Sequence, residues 1–150
     1  MSEERKHKER DIFVQGPIDP LAIGESIAKH STKTSIGAHE IFLGQVRADA
    51  IDGRTVRAIE YSAYKEMAAP LMTAIREEAF ARWPLTCLHV HHSLGRIAAG
   101  GLCFMVFASA AHRREAREAV AWITDQVKGR LPIFGKEIFD EGDHVWKVNK

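Results

Sequence analysis

The stretch from Leu102 to Pro132 constrains the fold of this chain more than any other. Leu102–Ser109 is a β-favouring apolar run. Directly after it, from about Ala111 to Leu131, Ala116, Ala119, Val120, Ile123 and Val127 recur at helical spacing until Pro132 ends the pattern. A strand that feeds a long amphipathic helix needs a sheet beside it and an apolar layer beneath the helix stripe. The rest of the chain offers both. Ile12–Val14 reads as a short strand, and Asp19–Pro20 as an N-cap with Pro at the first helical position. That helix runs to about His30, with Leu21, Gly24, Ile27 and Ala28 as its expected inner face. Gly37–Val46 carries Ile41, Phe42 and Leu43 in a strand-like run, and Asp52–Gly53 is a turn signal after which Val56–Tyr61 pairs back. Met67, Leu71, Met72, Ile75, Ala79 and Trp83 form a second helical stripe, stopped by Pro84. Leu88–Ser93 is a strand, separated from Leu102 by the Gly-rich stretch from Gly95 to Gly101. Lys136–Phe139, the turn Glu141-Gly142-Asp143 and Val145–Val148 read as a final hairpin. Strands and helices alternate irregularly, so the expected fold is α+β: one domain, a mixed or antiparallel sheet packed by two to three helices.

Composition narrows the function. A chain of 150 residues, 45% hydrophobic and 27% charged, buries a core of its own as a single domain over residues 11–150. Its net charge of +1 supplies no global field toward nucleic acid or an anionic membrane, so any anion site is a local cluster. Residues 1–10 are charged without an apolar stretch and read as a disordered tail, not a signal peptide. Cys87 and Cys103 stand apart and outside any CxxC pattern, which suits a reducing, cytoplasmic setting.

Four groups of residues carry possible chemistry. Ala111-His112-Arg113-Arg114 opens the long helix, where unpaired N–H groups and the positive dipole end attract anions; a solvated helix face is the alternative. Phe42-Leu43-Gly44-Gln45-Val46-Arg47 delivers an arginine at a strand end. Lys128 and Lys136 flank the rigid Pro132-Ile133-Phe134 turn, so both ammonium groups are candidates for one pocket, although cations in a last helical turn also satisfy terminal carbonyls. A desolvated lysine gives up its proton more readily and serves as base or nucleophile. His89 and His91 share a strand face at metal-ligand spacing, without a third ligand nearby in sequence.

Together these segments resemble the large subunit of molybdopterin synthase. The landmarks are FLGQVR (Phe42–Arg47), IEYSAYKEMA (Ile59–Ala68), RWP (Arg82–Pro84), HHSLG (His91–Gly95), AHR (Ala111–Arg113) and KGRLPIFGKE (Lys128–Glu137). The resemblance implies an α+β domain with a β-hammerhead element, forming a homodimer. It implies a small ubiquitin-like carrier subunit at each end, whose C-terminal Gly-Gly thiocarboxylate brings the sulfur. The implied substrate is cyclic pyranopterin monophosphate, converted to the dithiolene molybdopterin with no cofactor, metal, nucleic acid or membrane. By position, Arg47, His112 and Arg113 would hold the substrate's phosphate and pterin. Gln45 and Val46 would line the same wall with Phe42 behind them, Gly135 and Glu137 would belong to the substrate site, Lys128 would be the catalytic lysine, and Lys150 would reach the other protomer's site.

The chain departs from the family pattern most at Phe134-Gly135-Lys136-Glu137, where relatives carry a catalytic lysine at the position of Gly135. Ala110 and the run His92-Ser93-Leu94-Gly95 are smaller departures, affecting packing or caps. A backbone kink at Gly135 that swings Lys136 into the pocket is the expected compensation. The alternative is a catalytically impaired paralogue that binds the carrier.

Overall fold

In the computed structural model, residues 11–140 and 144–147 are described. The chain runs β1 (Phe13–Gln15), α1 (Pro20–Lys29), a short 3-10 turn (His30–Thr32), β2 (Ala38–Gln45), β3 (Ala50–Ile51) and β4 (Arg54–Ala63). It continues with α2 (Lys65–Arg82), β5 (Leu85–Ala98), β6 (Leu102–Ala110), α3 (Arg113–Arg130), β7 (Ile133–Phe139) and β8 (His144–Trp146). The tail 1–10, the turn 141–143 and Lys150 lie outside the described residues. No described helix is long and apolar enough to cross a membrane.

The apolar run that dominates the sequence becomes β6, buried from Cys103 to Ala110. Strands flank it on both sides in the order β2-β6-β5-β4-β7-β8, with β1 added on β5 and β3 on β4. All pairings are antiparallel except β1 with β5, so the sheet is mixed as expected. Both faces of β6 are covered, which is why its sequence does not alternate with polar residues. Phe104, Val106 and Ala108 face the main core under α2 and α3, while Met105 and Phe107 face a smaller cluster with Ile18 and Ile23 of the α1 segment.

β5 is long because its two halves pair with different strands of the sheet. Leu85–His92 pairs with β6, and Gly95–Ala98 pairs with β4. Gly95 sits at the changeover with φ +89, a backbone that a side chain would strain. The Gly-rich connector is therefore shorter than its composition suggests.

Three local expectations are corrected. Leu21 is 75% exposed and Ile27 39%, while Ile23 and His30 turn inward, because a short helix docking one turn on Met105 and Phe107 presents only that stripe. In α2 the buried stripe is Ala68, Met72, Ile75 and Ala79, leaving Met67 in solvent. Asp52 and Gly53 do form the turn, both at positive φ as a two-residue hairpin loop requires. That hairpin joins β4 to β3, whereas β2 pairs with β6.

Candidate active site

The last turn of α3 leads through Leu131 and Pro132 into β7, and this corner brings Lys128 against the end of the sheet. Lys128 is half-buried, with Nζ 5.3 Å from the centroid of the Phe104 ring. Phe104 in turn stacks at 5.4 Å on His92, and His92 meets Tyr61 edge-on at 4.9 Å. Tyr61, His92, Lys128, Gly135 and Lys147 line a narrow cleft of ≈10 Å³, about one water in size. Burial lowers the pKa of Lys128 below its ordinary value, the ammonium of Lys147 adds to that, and Cys103 opposes it. Burial, with the charge of Lys128 behind it, also pushes His92 down to about 4 against the opposing bond from Nδ1 to the Ser93 carbonyl (2.8 Å). A carbonyl only accepts, so Nδ1 carries the proton and neutral His92 offers its other nitrogen as an acceptor. Burial raises the pKa of Tyr61, which keeps its hydroxyl and donates it to Cys103 Sγ at 3.5 Å.

The expected kink at Gly135 does not occur. β7 passes through it in unbroken register, Tyr61 opposite Gly135, Glu60 opposite Lys136 and Ile59 opposite Glu137. Successive strand residues point to opposite faces, so Gly135 and Glu137 face one way and Lys136 the other. Lys136 pairs with Glu60 at 3.3 Å and lies 5.9 Å from the Trp146 ring centroid, away from the cleft. The glycine answers to close packing instead: a Cβ on Gly135 would stand 3.1 Å from Ile59 Cγ2 and 3.2 Å from Tyr61 Cε1. The second ammonium in the cleft belongs to Lys147, whose backbone N–H donates to the Gly135 carbonyl at 2.7 Å. No sequence pattern singled out Lys147; its position depends on the register of β8 on β7, Trp146 opposite Lys136.

On the β2 side, Phe42 packs 5.7 Å from Phe104, the ring that also lies under Lys128. Gln45 is exposed at the strand end, while Val46 is 2% exposed and enters the core, so it lines no wall. Arg47 is exposed and held by Asp49, Nε to Oδ1 at 2.5 Å and Nη2 to Oδ2 at 3.2 Å. That hydrogen bond and charge raise the arginine's pKa and lower that of Asp49. Glu137 is buried, and its charge acts on both Arg47 and Tyr61.

His112 and Arg113 are elsewhere. They open α3, exposed, with His112 as an N-cap in extended conformation. Lys128 lies near the opposite end of the same helix, about 24 Å away at 1.5 Å per residue. Ala38 pairs with Ala110 at the start of β2, so Arg47 beyond its far end is roughly 30 Å from the His112 level. Within one chain, therefore, the arginine of β2 and the histidine–arginine pair of α3 cannot grip one phosphate.

Residues 16–130 match the family model described as MoaE protein. The chain is 43% identical over 136 residues to the molybdopterin synthase catalytic subunit of Pyrococcus abyssi, covering 91% of this chain and 90% of that protein. It superposes on molybdopterin synthase from Staphylococcus aureus with a TM-score of 0.80 at 26% identity, over 95% of this chain and 99% of the other. A complex of subunits 1 and 2 of molybdopterin-converting factor from Helicobacter pylori shares the fold, with a TM-score of 0.77 at 18% identity over 92% and 90% of the two chains.

Proposed function

The chain belongs to the MoaE family, and on that premise we propose that it is the catalytic subunit of a molybdopterin synthase, moving sulfur onto cyclic pyranopterin monophosphate to make molybdopterin. The sulfur comes from the C-terminal thiocarboxylate of a small ubiquitin-like carrier, in keeping with the two-subunit complex of the Helicobacter pylori relative. This chain then needs no thiol of its own in the chemistry, and Cys87 and Cys103 are both buried. Two free cysteines also favour a cytoplasmic setting.

The observation that carries the reading is Lys128, an amine whose proton affinity is reduced by burial at a narrow cleft. Its neutral form takes a proton from the water that attacks the carrier's acyl carbon, the C–S bond breaking with the sulfur left on the pterin and the carrier released as a carboxylate; alternatively the amine itself attacks that carbon and holds the acyl group until water releases it. Lys147 supplies the fixed positive charge beside it, the part first expected of Lys136. Phe42 and Gln45 border the approach along β2, and Asp49 holds Arg47 at its end.

The phosphate site is composite in this reading. β2 is an edge strand of the described sheet with Phe42 and Leu43 partly exposed. Two copies paired antiparallel along β2 bring the Arg47 end of one strand beside the start of its twin, where the partner's His112 and the partner's Arg113 stand. The homodimer thus assembles what one chain separates.

The test is direct: combine the protein with thiocarboxylated carrier and pterin precursor and measure the dithiolene product. Product formation supports the assignment. Carrier binding without product, from a competent carrier, favours the impaired paralogue for which Gly135 is the best argument.

A further inference from the structure

The histidines of β5 face two ways. His92 lines the cleft, while His89 projects from the other face toward α1, together with Cys87 two residues earlier. The third ligand that the sequence lacked comes from the end of α1: His30, 7% exposed, sits over this pair. Nε2 of His30 and Nε2 of His89 are 3.1 Å apart, and one ring nitrogen of each histidine and Cys87 Sγ all lie within 4.8 Å of one another. We propose that His30, Cys87 and His89 form a binding site for a Zn²⁺-class ion, separate from the catalytic cleft and on the opposite face of the sheet.

The geometry suits such an ion. Two imidazole nitrogens on one tetrahedral Zn²⁺, each at about 2.0–2.1 Å, stand about 3.3 Å apart, close to the spacing already present. A nitrogen and a thiolate sulfur on the same ion stand about 3.6 Å apart, so Cys87 needs only a small closing movement. His30 is also pre-set as a ligand. Its Nδ1 lies 2.6 Å from the Ser26 carbonyl, which can only accept, so the proton is on Nδ1 and Nε2 presents a lone pair to the cluster. Fixing a metal-binding imidazole through its other nitrogen is the usual outer-shell arrangement. One side of the cluster is packed by Phe107, whose ring lies 5.2 Å from His30 and 5.8 Å from His89.

A cation already visits the sulfur. The Lys33 ammonium donates to Cys87 Sγ at 2.9 Å, from an exposed segment just after the 3-10 turn. An incoming ion displaces that ammonium and any thiol proton to water, the proton that His89 Nε2 donates to His30 moves to the other nitrogen of the His89 ring, and water then fills the fourth position. The donor set, two imidazoles and one thiolate, is borderline-soft and favours Zn²⁺ over Mg²⁺ or Ca²⁺. Such an ion ties the end of α1 to β5, a junction otherwise held by the small cluster of Ile18, Ile23, Met105 and Phe107.

The experiment uses the full chain, stripped of metal with a chelator, and Co²⁺ as a spectroscopic probe for Zn²⁺. The expected result is a thiolate-to-cobalt absorption in the near ultraviolet that saturates at one ion per chain and is bleached by added Zn²⁺. Cys87→Ser abolishes the band, His89→Gln weakens binding at least tenfold, and Lys33→Met tightens it by removing the competing ammonium. His30 is too buried for a clean substitution, so the two β5 variants carry the test, with far-ultraviolet circular dichroism reporting their fold. A wild type that shows no band at a hundredfold excess of Co²⁺ overturns the proposal. So does a band that survives Cys87→Ser, or an affinity that His89→Gln leaves unchanged.

Discussion

The two ends of α3 treat positive charge in opposite ways. At its C-terminal end Lys128 is pressed against Phe104 and partly removed from water, so its proton is loosened. At its N-terminal end His112 and Arg113 stand in solvent, where the helix N-terminus favours an anion. On the proposed reading one helix offers a reactive amine and a charge clamp, and separates them by its own length. A charge does chemistry where it is desolvated and recognition where it is not.

The sharpest way to break this contrast is Lys128→Arg. Arginine keeps the charge but cannot give up a proton, so the variant folds and loses at least about a hundredfold in turnover. Near-normal turnover would mean that Lys128 supplies charge alone.

Next in size is Arg113→Ala: if Arg113 holds the phosphate as proposed, loss of a charge-assisted contact worth about 1.5–3 kcal/mol weakens precursor binding tenfold or more and leaves carrier affinity in place. A mixing experiment sharpens it. If the phosphate site spans two protomers, dimers formed from one Lys128→Arg chain and one Arg113→Ala chain contain one intact site and recover activity that neither parent has. Failure of the mixture to exceed its parents would return both groups to one chain.

A smaller effect separates the two β-hairpin lysines. The charge of Lys147 lowers the pKa of Lys128, so Lys147→Met raises it and moves the rising limb of the pH–rate profile to higher pH. Lys136→Ala leaves that limb where it was, since Lys136 pairs with Glu60 on the far face in an arrangement worth at most about 1 kcal/mol. A limb that follows Lys136 and ignores Lys147 would overturn the placement of both.

What was legible in the sequence was whatever local pattern determines. The β6–α3 run, the Asp52–Gly53 turn and the closing hairpin follow from periodicity and turn chemistry within a few residues. The face that α1 buries was not, because Leu21 and Ile27 satisfy the helical period as well as Ile23 does, and only the docking on Met105 and Phe107 decides among them. The place of Lys128 in the last turn of α3 was readable from the helical pattern and Pro132. Lys147 was not, since its place depends on which residue of β7 it opposes. His30 was missed for a related reason: it comes from a different element, 59 residues from the histidine it meets.

The packing at Gly135 bears on how such a site changes through descent. The Tyr61 ring, 7% exposed and tied to Cys103, lies against the place where a side chain at 135 would begin. A side chain at 135 would begin in tight contact with that ring, which must give by a few tenths of an ångström to admit it. The shift is small, so descent can lose or regain a side chain at 135 without first replacing the tyrosine.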